Sequence, residues 1–426
     1  MKPFSVDSKE ANEIKTFIRE DFSPRYGEVH FNLESEPLWR RLRDLGTELW
    51  LDTGDPEAIS SLWTREFSAV TTNNTLLNQE VQKGTYDDLI PRAVALLQEL
   101  GNLSEDQMRL ELSFILNARH ALRLVEQFDA YVSVEEHTDL ANDMEGAVTY
   151  ARRFYAICPE RFFVKLPLSP AGILATRQLA GEGIPVNHTL GFSARQNYLI
   201  ARIAQPAFVN VFLGRLNSFI KDNGLGDGKY VGEKAAIASQ RMVRSLCETQ
   251  GISTRQIGAS LRNGEQVRDL AGLDVLTMPT KAAQPFLDMQ PATDEIVDCT
   301  DRDYQPTLND GVAPGAVQLQ TLWDVPDDYV AAVEDLANEK FDVMMPQDLV
   351  DYMAKRGFPD LFPRWIQEHV EISVQEGKIP DLNNWRDMLQ RGETGLDALM
   401  NLAAFNSFTT DQKSMDERVM GMLNSQ

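Results

Sequence analysis

Cysteine, histidine and positive charge are all scarce in this 426-residue chain. Its three cysteines, Cys158, Cys247 and Cys299, are odd in number and far apart, which argues against a disulfide framework and for a reducing compartment. The five histidines show neither HxxxH nor HExxH spacing and no cysteines form CxxC, so no metal site is expected. Lys and Arg total 41 against 64 Asp and Glu, a net charge of -23. Without a basic surface, a general nucleic-acid binder or a binder of anionic membranes is excluded. A small basic pocket for a phosphorylated metabolite is not. No run approaches the ~18 consecutive apolar residues of a membrane span. The opening stretch MKPFSVDSKEANEIKTF lacks the apolar core of a secretory signal. Neither GxGxxG nor GxxxxGK[ST] occurs, so no dinucleotide or P-loop site is signalled. The expectation is an acidic cytoplasmic globular protein with no cofactor.

What the chain does have is a rhythm. From residue 45 to about 290, short β-rich runs alternate with segments of helical periodicity. The runs lie at 48–52, 68–73, 130–136, 162–167, 185–190, 207–213, 254–262 and 273–279. Strands separated by helices pair in parallel, because a parallel connection needs a crossover of a dozen or more residues. Eight such units within ~250 residues are what a (β/α)8 TIM barrel requires. An open doubly wound sheet is the alternative, but its usual glycine-rich first turn is missing. Residues 1–44 read as an N-terminal helical segment, with helices near 8–20 and 36–45. Residues 45–290 read as the barrel, with an extra helix in the long connection 80–128. Residues 291–325 read as a linker or long loop, and 326–426 as an acidic, all-helical extension. Residues 301–426 carry 23 acidic and 10 basic side chains, a net of -13 and more than half of the chain's net charge of -23. Such a segment is either a solvated helical appendage or a module that binds a partner, and nothing in its composition names one.

Function in a parallel barrel gathers at the C-terminal ends of the strands, and side chains along each strand alternate between faces. In FFVKLP the outward set Phe162, Val164 and Leu166 is apolar, so Lys165 points inward. Desolvation there should lower its pKa towards neutrality, and a neutral amine attacks a carbonyl to form a Schiff base. A lysine snorkelling to solvent is the plainer alternative. Glu135 in VSVEE and Asp52 at the end of ELWLD offer carboxylates for the proton transfers such a reaction needs. Asn187 and Thr189 share one face of the fifth strand, and Asn73 follows the second. These neutral hydrogen-bonding groups suit a hydroxylated substrate, or alternatively satisfy one another. In the sixth strand Asn210 and Phe212 share a face, with Arg215 at its end. Ser260 and Arg262 share a face of the seventh. Two arginines at neighbouring strand ends can hold a phosphate bidentately.

The ordered series LDTGD, VTTNNTLL, VSVEE, FVKLP, VNHTLGFS, FLGR, GASLRN and LTMP resembles the transaldolase family from about Leu51 to Pro279. The resemblance implies a class I, Schiff-base aldolase barrel. Such enzymes pass a dihydroxyacetone unit from a ketose phosphate (sedoheptulose 7-phosphate or fructose 6-phosphate) to an aldose phosphate (glyceraldehyde 3-phosphate or erythrose 4-phosphate), a reaction of the pentose phosphate route. By position it implies that Lys165 forms the imine, that Glu135 works through a water, and that Asp52 is the acid/base. Asn73, Asn187 and Thr189 match residues that hold substrate hydroxyls and the catalytic water. Arg215, Ser260 and Arg262 match phosphate contacts. Phe212 matches an aromatic that separates transaldolases from the related fructose-6-phosphate aldolases, which carry tyrosine there.

The chain also departs from the family pattern. Asn210 stands where serine is frequent and Val211 where proline is. SPAG, with Ser169 and Ala171, replaces Thr-x-Glu-Gly, and TTNN replaces TTNP. A relative with the same imine chemistry on a different ketose is therefore one alternative. A non-catalytic barrel with a partner-binding tail is another. The partners implied are sugar phosphates, with no nucleic acid and no membrane, and a homodimer is one open assembly state.

Overall fold

Alternation along the strands dictates the architecture. The structure is a computed structural model that describes residues 3–27 and 33–423. The remaining positions of the predicted 1–44 and 326–426 segments lie outside the described residues. Eight strands form: β1 (Glu48–Asp52), β2 (Phe67–Thr71), β3 (Tyr131–Glu135), β4 (Phe162–Pro167), β5 (Val186–Thr189), β6 (Phe208–Phe212), β7 (Arg255–Ala259) and β8 (Val275–Met278). Each pairs in parallel with the next, and β8 pairs with β1, closing the sheet into a (β/α)8 barrel.

The outward faces, such as Val132 and Val134 of β3 or Phe162, Val164 and Leu166 of β4, are fully buried under the surrounding helices. Burying side chains of this size contributes roughly 1.5–3 kcal/mol each. The inward face splits into two levels. At the N-terminal end Trp50 stacks on Phe163 at 5.7 Å and meets Phe208 edge-on at 4.7 Å, while Tyr131 stacks on Phe163 at 5.1 Å. This aromatic plug fills the lower barrel. Above it the inward residues turn polar, and Lys165, Asn187 and Asn210 fall on this upper level.

Local sequence explains most of the helices. Ser104 and Gln107 form a reciprocal capping box at the start of helix Glu105–Phe128. That helix and Leu89–Leu100 occupy the long connection between β2 and β3. Ser169 caps helix Pro170–Gly181, with Pro170 in its first turn. A Cβ at Gly172 would come within 2.3 Å of the Pro167 carbonyl oxygen. The SPAG segment is thus a tight strand-to-helix turn.

Two predicted strands end more than one residue early. β2 stops at Thr71, and Asn73 becomes the cap of helix Asn74–Gln82, its side chain accepting from the Leu76 amide at 2.9 Å. β7 stops at Ala259, because Ser260 takes the left-handed conformation with φ 64°. Ser260 and Arg262 are therefore loop residues, and the i, i+2 rule does not orient them. Arg215 lies in the first turn of helix Leu213–Asp222.

After the barrel come short 3-10 turns at 293–295, 314–317 and 319–322, and then five helices from Asp327–Leu336 to Leu396–Leu423. These helices pack on the barrel instead of projecting into solvent. The terminal helix Leu396–Leu423 buries residues around its whole circumference in its first half, including Leu399, Met400, Ala403 and Phe408. A helix without a polar face is one enclosed between two layers. Its Asn401 amide donates to the carbonyl oxygens of Leu168 and Leu190, which follow β4 and β5, so it lies on the C-terminal rim.

Charge holds it there. Asp397, fully buried, accepts two hydrogen bonds from the Arg195 guanidinium at 2.7 and 2.8 Å and one from Ser193 at 2.6 Å. Asp360 meets the same guanidinium at 2.8 Å. Further out, Asp416 contacts His137 at 3.0 Å, Arg418 contacts Asp87 at 2.8 Å, and Glu334 contacts Arg202 at 2.9 Å. Asp397→Ala leaves the buried Arg195 guanidinium with Asp360 as its remaining carboxylate and should cost about 1.5–3 kcal/mol in urea unfolding, on the scale of lost hydrogen bonds to a charged group. Glu393→Gln, which removes the exposed pair with Arg391, should leave the transition unchanged.

Candidate active site

Lys165 stands on the floor of a cavity of about 200 Å³ at the C-terminal mouth of the barrel. The parallel register sets its neighbours: Glu135 of β3 is opposite it on one side and Asn187 of β5 on the other. Its Nζ donates to the Thr72 carbonyl oxygen at 3.1 Å and lies 3.5 Å from Glu135 Oε2. Glu135 is buried beside Lys165, with Oε2 also accepting from the Asn74 amide at 3.3 Å. Burial raises its pKa above the ordinary glutamate value against the opposing pull of Lys165. Asp52, at the end of β1, accepts from Thr71 Oγ1 at 2.9 Å, and that hydroxyl is 2.7 Å from Thr277 Oγ1 of β8. Desolvation raises the Asp52 pKa too, again opposed mainly by Lys165. A lysine and two carboxylates thus share one largely buried floor, and desolvation makes both carboxylates hold protons more tightly than they would in water.

A ladder of amides lines the adjacent wall. Asn210 Nδ2 donates to Asn187 Oδ1 at 2.7 Å, and Asn187 Nδ2 donates to Ser133 Oγ at 2.9 Å. Two buried oxygens, Thr189 Oγ1 and Asn210 Oδ1, have no hydrogen-bond partner among the described residues. Buried polar atoms are nearly always satisfied, so these two are positioned for substrate hydroxyls or a bound water.

The rim is cationic. Arg215 is buried, and its Nη1 has no hydrogen-bond partner among the described residues. Its guanidinium carbon lies 5.9 Å from the centroid of Phe212 and 5.5 Å from that of Phe408. Burial, with Arg262 nearby, pushes its pKa down to about 10. Arg262 is lowered by burial as well. The two approach because position 214 is glycine: a Cβ there would meet the Ser260 carbonyl oxygen at 2.0 Å and the Arg262 side chain at 2.8 Å. Both arginines sit near the start of helix Leu213–Asp222, whose partial positive charge also favours an anion.

Ten of the eleven residues singled out from sequence line this cavity: Asp52, Asn73, Lys165, Thr189, Asn187, Asn210, Phe212, Arg215, Ser260 and Arg262. The eleventh, Glu135, lies beside Lys165 and not in the lining. Ser169 and Ala171 are also outside the lining, and Ser169 serves as a helix cap, accepting from the Gly172 amide at 2.9 Å. Sequence reasoning missed Thr71, Thr277, Lys281, Lys378 and Phe408. Thr71 and Thr277 carried a usable signal, being polar residues at inward positions of otherwise apolar strands. Lys378 and Phe408 carried none, because they belong to the helical extension. No group of three or more metal-ligating side chains occurs among the described residues, and no described helix is long and apolar enough to cross a membrane.

Comparison with known proteins places the chain in context. A family profile described as "Transaldolase/Fructose-6-phosphate aldolase" matches residues 49–333. A transaldolase from Xanthomonas euvesicatoria pv. vesicatoria is 32% identical over 244 residues, 56% of this chain and 74% of that protein. A transaldolase from Protochlamydia amoebophila is 30% identical over 251 residues, 57% of this chain and 75% of its own length.

One buried acid near the site remains without a partner. Glu136 turns to the opposite face of β3 from Glu135, and neither of its carboxylate oxygens finds a hydrogen bond. Burial raises its pKa well above the ordinary 4.5. Between that unfolded value and the higher folded one, the folded state binds more protons, so stability falls as pH rises through the window. Glu136→Gln removes this dependence. Its melting temperature should exceed that of the native protein by a few degrees at pH 8, and the gap should close below pH 4.

Proposed function

The chain belongs to the transaldolase/fructose-6-phosphate aldolase family and is an enzyme of the transaldolase kind, and we propose that it moves a dihydroxyacetone unit from a ketose phosphate to an aldose phosphate through an imine on Lys165. The observation that carries this reading is a buried lysine amine 3.5 Å from Glu135, on the floor of a cavity that also holds Asp52 and ends in two arginines.

The positions support the following steps. The Lys165 amine attacks the ketose C2 carbonyl, forming the C–N bond of a carbinolamine. Glu135, acting with a water held at Thr189 Oγ1, supplies the proton with which hydroxide leaves as water, giving the imine. Asp52 then takes the proton of the C4 hydroxyl while the C3–C4 bond breaks. An aldose phosphate departs, and the bonding electrons pass into the imine to give an enamine. Raised affinity for protons suits both carboxylates to this exchange, since a general acid/base works best with a pKa near the working pH. Asn187, Asn210 and Asn73 offer amides to the hydroxyls of the bound chain. Arg215 and Arg262 hold the phosphate, which keeps donor and acceptor in the same register. The enamine adds to the acceptor aldehyde by the same steps in reverse. Fructose 6-phosphate or sedoheptulose 7-phosphate as donor, with erythrose 4-phosphate or glyceraldehyde 3-phosphate as acceptor, would place the reaction in the pentose phosphate route. Phe212 in place of tyrosine supports transfer over simple cleavage.

Borohydride reduction in the presence of fructose 6-phosphate should leave a three-carbon adduct on Lys165, mapped by mass spectrometry. Lys165→Ala should give no adduct and lose at least about 10³-fold in turnover, on the scale of a removed catalytic group. A persisting adduct elsewhere would overturn the assignment. Product analysis separates transfer from cleavage, because free dihydroxyacetone without an acceptor would indicate an aldolase. The raised carboxylate pKa values also set a pH dependence. On the acid side, kcat/KM should fall with an apparent pKa above the ordinary carboxylate range. Asp52→Asn should lower kcat by about 10²–10⁴-fold and flatten that limb.

A further inference from the structure

The cavity is not built by the barrel alone. Two of its lining residues, Lys378 and Phe408, come from the helical extension. Lys378 sits in the turn between helices Gln367–Glu376 and Leu382–Gln390, where Gly377 adopts φ 76°. A barrel residue pins that turn: Asn223, just after helix Leu213–Asp222, donates to the Pro380 carbonyl oxygen at 3.0 Å and accepts from the Leu382 amide at 2.7 Å. The backbone around Lys378 is therefore held, while its ammonium stands exposed at the cavity mouth.

Lys378 completes a set of four cations around one opening, with Arg215, Arg262 and Lys281. Among the described residues none of the four forms a salt bridge with a carboxylate. This is unusual in a chain with 64 acidic residues and a net charge of -23. Carboxylates act on three of the four cations at longer range, Asp52 on Arg262 and Lys281 and Asp411 on Arg215, but with no close ion pair their N–H donors stay open to an anion between them. A single arginine pair would suffice to orient one phosphate, so the two lysines add attraction at the entrance, where field lines focus. Phe408 acts from above. Its ring and that of Phe212, 6.4 Å apart and nearly perpendicular, both lie close to the Arg215 guanidinium. That contact steadies the guanidinium beside Arg262 in the absence of any ion pair.

We propose that the helical extension is a working part of the substrate site, with Lys378 binding the anionic end of the substrate alongside Arg215 and Arg262, and Phe408 positioning Arg215. The inference rests on the sugar-phosphate reading for the identity of the substrate, but the anion site can be tested without turnover. Lys378 is exposed and its turn is held through the backbone, so Lys378→Gln should fold normally. The full-length chain and this variant would be titrated with inorganic phosphate by calorimetry. The variant should bind it about 10-fold more weakly, on the scale of one lost charge-assisted contact. In parallel, its KM for fructose 6-phosphate should rise by a similar factor with kcat within 2-fold, while any cleavage of unphosphorylated fructose stays unchanged. Phe408→Leu, which keeps an apolar side chain, should weaken phosphate binding more than Thr410→Ala on the same helix. Unchanged phosphate affinity in Lys378→Gln, or no phosphate binding by the native chain, would overturn the proposal. Weakened phosphate binding without any Lys165 adduct would support the anion site while removing the transaldolase reading. Normal turnover with an unaffected KM would do the reverse.

Discussion

A closed eight-stranded barrel leaves room inside for side chains only, and the period-2 alternation of its strands decides which ones enter. That constraint governs the rest of the molecule. Inward positions at the N-terminal end carry Trp50, Phe163 and Phe208, which fill the space and exclude water. Two residues further along the same strands, the inward positions are Asp52, Lys165 and Asn210. Burial above that plug raises the carboxylate pKa values of Asp52 and Glu135. The aromatic plug and the charged floor are consecutive turns of one pattern, and the chemistry of the second depends on the solidity of the first.

The extension answers a different problem. Its acidity looks like a solvating surface when counted along the chain, yet several of its carboxylates are complementary to barrel cations. Asp397 and Asp360 converge on Arg195, Glu334 meets Arg202, and Asp416 meets His137. The buried member of this set, Arg195 with Asp397, fixes the start of the terminal helix beside β5 and its loop. Attraction between two buried charges offsets a large desolvation cost only in good geometry, and the bidentate arrangement with Ser193 supplies it. In this way a helix whose first half has no polar face is held across the mouth of the barrel, and Phe408 reaches the cavity.

The four cations without a close ion pair would reconcile a strongly acidic chain with the proposed anionic substrate. Long-range repulsion from a charge of -23 opposes the approach of a sugar phosphate, while a local cluster reverses the sign at the opening. Two of the four cations follow strands β6 and β7, a third, Lys281, follows β8, and the fourth is contributed from almost 100 residues beyond it.

The barrel and most of its site were legible in the linear sequence because both depend on short-range periodicities. Apolar alternation in FFVKLP pointed Lys165 inward with a snorkelling lysine left as the alternative, and the ordered strand motifs suggested its companions. Strand ends were less legible: Asn73 is drawn into a helix cap and Ser260 into a left-handed turn, both local choices that override alternation. What only the tertiary structure decided is the roof. Nothing near Lys378 or Phe408 in sequence marks them as site residues, because their role comes from where a distant helix docks. That docking is set by buried ion pairs such as Arg195 with Asp397, whose members are about 200 positions apart. Periodicity acts between neighbours and can be read from them, whereas a contact across that separation exists only once the chain has folded.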